Sequence, residues 1–283
     1  MISDVVRSKD GLQYLSSLQK YHLAAIPFEN LSLHYSKEHT NSLNPDDLFE
    51  KIVIRKKGGY CFESNSLFGV MLRSLGFDIV SVGARVTLVS PSAGWDHQVN
   101  LVSIAGTTYL VDVAFGASCP TRPMPLVHGQ ISRWGATVAE TRLTFQDPSN
   151  AIVQGLWALE HRVSPANEWT PSYTFALTEF FPKDFEIMNY AVRSQPTSFW
   201  TYSILCLRMI FDEEVDDITG LLVLQGDRLK QRIHTESETL MQCADEHERV
   251  EVLEKHFGIH LSHAEQLGIL GTVTQLKGGF SLI

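Results

Sequence analysis

The hydrophobic period of this chain changes at Gly76, and that change limits the folds open to it more than any other feature. Before it, apolar residues recur at helical spacing, as Leu12, Leu15 and Leu18 and then as Leu48, Phe49, Ile52 and Val53, the pattern of helices that bury one face. After it, Val80, Val82, Ala84, Val86 and Leu88 alternate with smaller or polar residues, the period of a half-buried strand. Helices first, strands next and a mixed segment last describe an α+β chain.

Local punctuation agrees with this division. Asn44 followed by Pro45, Asp46 and Asp47 supplies an N-cap, a proline at the first helical position and acids in the first turn. Lys57-Gly58-Gly59 breaks the chain, and a third helix is expected from about Cys61 to Leu75, with Leu67, Phe68, Met71, Leu72 and Leu75 on its apolar face and Gly76 as its C′ glycine. Residues 97–104 and 107–114 flank Ala105-Gly106 and are expected to pair as a hairpin, although alanine is not the favoured first residue of such a turn. The proline-rich stretch 120–180 gives only short strand signals and a loop-rich reading. Beyond it, Ser203–Leu207 and Leu221–Leu224 read as strands and 245–256 as a helix. No internal repeat or low-complexity tract interrupts the pattern.

With 283 residues, 44% of them apolar and 19% charged, the chain has the composition of an ordinary globular protein with a sizeable core. A formal net charge of −9 argues against a nucleic-acid partner or an anionic membrane surface, either of which calls for a basic patch. No signal-like leader and no run of 18 apolar residues is present, so the expectation is a cytoplasmic protein. The four cysteines, at 61, 119, 206 and 243, form no CxxC pair and are expected to be reduced thiols. Nothing in the sequence sets the oligomeric state.

Three residue types carry the chemistry. Cys61 follows two glycines and opens a helix, where unsatisfied N–H groups and the helix dipole favour a thiolate; a small buried hydrophobe is the alternative. His97 begins one strand of the expected hairpin, and Asp112 lies in the other. With the turn at Ala105-Gly106, Asp112 faces Val99 and becomes the diagonal neighbour of His97 on one sheet face, about 7–8 Å away between backbones. A carboxylate among Leu110, Val111, Val113 and Ala114 needs a partner, and orienting a histidine is what a triad carboxylate does. A structural His–Asp pair bracing the hairpin is the alternative.

The segments around these residues resemble the arylamine N-acetyltransferase family. Lys57-Gly58-Gly59-Tyr60-Cys61-Phe62-Glu63 is similar to the family's RGGxCxE segment, and Ile26-Pro27-Phe28-Glu29-Asn30-Leu31 to its PFENL signature. Asp96-His97-Gln98-Val99 resembles its histidine segment, and 111–116 its aspartate segment. Residues 184–189, 195–198 and 279–283 resemble the eukaryotic members especially.

The resemblance implies a papain-like cysteine-transferase fold: a helical bundle over 1–77 that carries Cys61, a β-barrel over 78–190 that carries His97 and Asp112, and an α/β lid over 191–283. It implies a Cys61, His97, Asp112 triad and ping-pong transfer of an acyl group from acetyl-CoA or another acyl-CoA, used as co-substrate with no permanently bound cofactor, to an aromatic amine or hydrazine. It also places Gly94 near the coenzyme, Phe115 against the acceptor, and Thr197, Ser198 and Ser281 along the cleft. Lys57 stands where the family has an arginine paired with the PFENL segment, which keeps the charge and loses bidentate geometry.

The acyl donor stays open among acetyl-, propionyl- and malonyl-CoA, since some fungal relatives prefer malonyl-CoA. Arg85 is a candidate partner for a malonyl carboxylate, with a solvated strand residue as the alternative. Two other readings remain. A papain- or transglutaminase-like cysteine hydrolase would use the same triad with water or a lysine amine as acceptor. A metal-binding protein would draw on Cys243, His247, His256, His260 and His263, whose spacing fits a zinc site poorly.

Overall fold

The computed structural model describes residues 10–147 and 154–278. The helical half begins with α1 (Asp10–Ala25), followed by the two-residue strand β1 (Phe28–Glu29), α2 (Ser32–Tyr35) and α3 (Pro45–Leu48), which runs on as a π-helical turn over Phe49–Ile54. Asn44 caps α3 as its sequence implies, its side-chain oxygen accepting the Asp46 N–H at 2.9 Å. The widened turn changes which residues face inward: Leu48 and Ile52 are buried, whereas Phe49 and Val53, expected on the same face, are exposed. Then comes α4 (Cys61–Ser74), which buries Phe68 and Leu72 and ends at Gly76 with φ +92°.

Eight antiparallel strands follow and curl into a nearly closed barrel in the order β5-β4-β3-β2-β9-β8-β7-β6. They are β2 (Asp78–Arg85), β3 (His97–Ile104), β4 (Thr107–Val111), β5 (Met124–Pro125), β6 (Ile131–Arg133), β7 (Glu140–Gln146), β8 (Leu156–Arg162) and β9 (Thr170–Glu179). The expected hairpin forms in the expected register, Asn100 opposite Val111 and Ile104 opposite Thr107. Its turn takes φ +49° at Ala105 and +80° at Gly106, the left-handed pair that a two-residue hairpin loop demands even of an alanine. The alternation beyond Arg85 does not extend β2: residues 86–96 form a loop, and Leu88 and Val89 are exposed. Val82, Val99, Leu110, Leu143, Leu159 and Phe175 fill the barrel.

Strands β7 to β9 are the largest departure from the loop-rich expectation for 120–180. Their outer face is held by directly opposed charges, Arg142 against Glu160 (2.7 Å) and Arg162 against Glu140. Both arginines also stack on Trp169, 4.2 and 4.4 Å from its ring centre. Such cross-strand pairs stabilise a sheet without any apolar alternation.

The remainder comprises α5 (Pro182–Ser194), α6 (Phe199–Tyr202), β10 (Leu205–Asp212), β11 (Asp217–Gln225), β12 (Arg228–Ile233), β13 (Glu236–Gln242), α7 (Glu246–Phe257) and α8 (His263–Gly268). Strands β10 to β13 form a second antiparallel sheet whose outer member is β1 from the N-terminal half. The first and last parts of the chain are thereby joined through backbone hydrogen bonds. Asn30 adds to the joint: it is buried and donates from Nδ2 to the Ser203 carbonyl at 2.8 Å.

Two histidines in this frame make stability depend on pH. Burial lowers His22, whose Nε2 is enclosed without a partner, to about 3, and lowers His34, held between Asn30 and Thr274, to about 4. Their folded-state values lie below the unfolded value near 6.5, so the stability they contribute is complete above pH 6.5 and is lost as pH falls through the range down to 4 and 3. A loss on the order of 3 kcal/mol for each imidazole is expected between pH 7.5 and 4. Melting temperature measured across that range should fall steeply, and less steeply in His22→Leu. Equal slopes would show that His22 is not responsible.

Candidate functional site

Two glycines set the position of Cys61. The Gly58-Gly59 segment lies against β1, with Gly59 N–H donating to the Pro27 carbonyl (3.3 Å) and Glu29 N–H to the Gly59 carbonyl (3.2 Å). The approach is so close that a Cβ on Gly58 would sit 1.8 Å from the Pro27 oxygen. The chain then enters α4, where Glu63 reaches back to accept the Tyr60 N–H at 3.1 Å, the reciprocal half of a capping box. Lys51 neutralises the buried acids, its Nζ lying 2.8 Å from Glu63 and 3.1 Å from Glu29. Lys57 does not pair with the segment around Glu29, as its place in the motif implied. It pairs with Glu265, which Arg55 also meets at 2.7 Å, because the charge beside Glu29 is already supplied by Lys51.

Histidine and aspartate are brought together by the hairpin. His97 Nε2 lies 2.8 Å from Asp112 Oδ2, with both side chains buried. Strand β4 ends at Val111, so Asp112 is one residue past the ladder rather than inside it. Its carboxylate is completed by the Ala114 N–H (2.9 Å to Oδ1) and by Asn65 Nδ2 (2.9 Å to the same oxygen).

Asn65 is the residue that sequence reasoning missed. It stands four positions after Cys61, on the same face of α4. From there it also donates to the Gln98 carbonyl (2.7 Å) and accepts the Val113 N–H (3.1 Å). One amide thus ties the nucleophile's helix to the strand that carries His97 and to the segment that carries Asp112. The i,i+4 spacing was the available signal. Gln19 of α1, also missed, donates to the carbonyls of Asp112 (2.9 Å) and Pro120 (2.8 Å); no motif marks it.

Burial alone would raise the Asp112 carboxyl. His97, Asn65 and the Ala114 N–H outweigh it and hold the group below the usual carboxylate range. For Cys61 the balance goes the other way. Burial pushes the thiol well up, the carboxylates of Asp96 and Asp112 push it further, and the Phe62 N–H at the helix terminus pulls it down by less. The expectation that the helix end favours a thiolate names a real contribution, but burial beside two carboxylates exceeds it.

Cys61 and His97 open onto one cleft of about 590 Å³, walled by Phe28, Trp95, Phe115, Phe199 and Trp200. Gly94, Phe115, Thr197 and Ser198, named from the motifs, all border it. Ser281 lies outside the described residues. Arg85 does not border the cleft; its guanidinium stacks 4.2 Å from the ring centre of Trp95, which does.

The histidines and cysteine of the metal reading are not gathered into a site. Cys243 is packed in the apolar cluster with Leu253 and Phe257, and His260 meets Glu254 at 3.2 Å on the surface. Among the described residues, no group of three or more His, Cys, Asp or Glu side chains is placed to hold a metal ion. No described helix is long and apolar enough to cross a membrane.

Comparison with known proteins places the chain among acyltransferases. A family model described as N-acetyltransferase matches residues 11–266. The N-malonyltransferase FDB2 of Fusarium pseudograminearum is 34% identical, over 94% of this chain and 84% of its own. The arylamine N-acetyltransferase of Escherichia coli is 31% identical, over 71% of this chain and 68% of its own. Among solved structures, the arylamine N-acetyltransferase of Salmonella typhimurium superposes with a TM-score of 0.79 at 26% identity, over 91% of this chain and 90% of that one. The Mycobacterium marinum enzyme in complex with CoA does so with 0.76 at 26% identity, over 91% and 92%.

Proposed function

This chain belongs to the arylamine N-acetyltransferase family, and from that premise we propose that it moves an acetyl or other short acyl group, such as malonyl, from acyl-CoA through Cys61 to an aromatic amine or hydrazine. One observation carries the reading: Cys61 and His97 share an aromatic-walled cleft, and Nε2 of His97 is tied to the Asp112 carboxylate at 2.8 Å.

With Nε2 donating to Asp112, Nδ1 is the nitrogen left to take the thiol proton. Burial disfavours a lone thiolate at Cys61, so the reactive form is the thiolate paired with protonated His97. The thiolate attacks the thioester carbon of the acyl-CoA, and the carbonyl oxygen gathers charge near the Cys61 N–H, which at the first position of α4 has no intrahelical acceptor. The carbon–sulfur bond to CoA then breaks, CoA takes the proton from His97, and Cys61 is left acylated. An amine lone pair attacks the acyl carbon, one amine proton passes to His97, and the cysteine sulfur leaves as thiolate beside the imidazolium. Aromatic walls at Phe28, Phe115 and Trp200 suit a flat acceptor. Gly94, where an added Cβ would meet nothing within 4 Å, and the hydroxyls of Thr197 and Ser198 are the proposed contacts for the coenzyme arm, with Ser281 a further candidate. The division into bundle, barrel and lid at 77 and 190 belongs to this proposal.

Intact-protein mass after brief mixing with acetyl-CoA or malonyl-CoA, without amine, tests the reading. A single acyl adduct is expected on the native chain, discharged by an arylamine and absent from Cys61→Ala. No adduct from any acyl-CoA would overturn the proposal in favour of a hydrolase.

A further inference from the structure

Asp96 stands one residue before His97 and borders the cleft beside the nucleophile, yet the transfer steps above leave it without a task. Its backbone carbonyl oxygen lies 3.9 Å from the Cys61 sulfur. Its own N–H donates to the Ala84 carbonyl at 3.1 Å, and its Oδ1 accepts the Val86 N–H at 2.8 Å. These two bonds close the base of the 86–96 loop and fix Asp96 at the border of the cleft. A carboxylate has about four acceptor positions, and the Val86 bond uses one of them.

The surroundings of that carboxylate are unusual for a charged group. Apart from Asp96 itself and Cys61, His97, Gln195, Thr197 and Ser198, the cleft is lined by aromatic, aliphatic and glycine residues, and no lysine or arginine borders it among the described residues. The cation in reach, Arg85, is stacked on the ring of Trp95. A negative charge here opposes formation of the Cys61 thiolate, so it brings nothing to acylation by the donor. In the acceptor half of the reaction a positive charge also develops, on the attacking nitrogen. A nitrogen attacking the acyl carbon becomes positively charged before it sheds a proton, and a fixed anion near it lowers the energy of that state.

We propose that Asp96 is the acceptor-binding residue, its carboxylate taking a hydrogen bond from one N–H of the incoming primary amine or hydrazine and stabilising the charge that develops on that nitrogen. The proposal rests on the acyl-cysteine reading and adds a division of labour to it. A primary amine has two hydrogens. As the carbon–nitrogen bond forms, one passes as a proton to His97 while the carbon–sulfur bond breaks; the other stays in the amide product, facing Asp96. An acceptor with a single N–H supplies the proton for His97 and has nothing left for Asp96, so the residue selects primary over secondary amines.

Asp96→Asn isolates the charge, because the amide oxygen still accepts the Val86 N–H and the loop keeps its closure. Acylation by acetyl-CoA and discharge by aniline or N-methylaniline would be timed separately by intact mass. In the variant, acylation is expected to be as fast as in the native enzyme or faster. Discharge by aniline should slow about tenfold or more, the worth of one charge-assisted hydrogen bond, and the preference for aniline over N-methylaniline should narrow. Equal slowing of both half-reactions would make Asp96 merely structural, and unchanged discharge by aniline would remove it from acceptor binding; either result overturns the proposal. A native enzyme that never acylates fails at the first step and overturns the acyl-transfer reading instead.

Discussion

Replacing Asp112 by asparagine is expected to lower turnover by about 10³–10⁴-fold with the fold retained. The size of the effect follows from what surrounds the carboxylate. Oδ1 receives Asn65 Nδ2 and the Ala114 N–H, and Oδ2 faces His97 Nε2. An asparagine can satisfy the first two only by turning its oxygen toward them, which points its NH₂ group at His97. The imidazole must then accept at Nε2 and carry its proton on Nδ1, the tautomer that cannot take a proton from Cys61. Steady-state rates with acetyl-CoA and an arylamine, together with a melting curve, measure the two sides of this expectation. A loss under tenfold in a folded variant would mean that the His97–Asp112 pair only braces the hairpin.

The largest expected effect on stability is at Arg249, in the α7 helix. Its guanidinium is buried and bidentate to Glu246 (Nε 3.0 Å from Oε1 and Nη2 2.6 Å from Oε2), with further bonds to the Tyr35 hydroxyl (2.9 Å), the Thr274 carbonyl (2.9 Å) and the Gly226 carbonyl (3.3 Å). Glu246 in turn accepts from Tyr35 and from the Leu276 N–H at 3.1 Å. Arg249→Met fills much of the space and leaves Glu246 as a buried carboxylate without its cation, at a cost of about 3–5 kcal/mol. The melting temperature should fall by on the order of 10 °C. Glu246→Leu combined with Arg249→Met removes both charges and should recover part of the loss, since the cost is chiefly that of the unpaired ion. A double variant no more stable than Arg249→Met would show that the hydrogen bonds to Tyr35, Gly226 and Thr274 matter more than the ion pair.

The parts of the fold legible in the sequence are those whose signals are local. The cap at Asn44, the glycine that ends α4 and the turn at Ala105-Gly106 follow from residues within a few positions of one another, and the hairpin register follows from the turn. Strands β7 to β9 and β12 to β13 were not legible in the same way. The first group is held by charges that meet only across strands, such as Arg142 and Glu160. In β13 nearly every residue is exposed, so no apolar period marks it. The π-helical turn over 49–54 likewise rotated Phe49 and Val53 outward against the apparent helical face.

By itself the sequence determined the change from helices to strands at Gly76, the register that sets Asp112 within reach of His97, and the motifs that mark Cys61, His97 and Asp112. The tertiary structure alone decided that Asn65 and Gln19 hold the aspartate, that Lys51 rather than Lys57 neutralises Glu29, and that Asp96 borders the cleft beside Cys61. It also decided that burial, more than the helix dipole, sets the thiol's proton affinity. The physical reason is range. Caps, turns and periods act between residues close in sequence, whereas desolvation and charge depend on what other segments bring to within a few ångströms, and only the folded chain sets those distances.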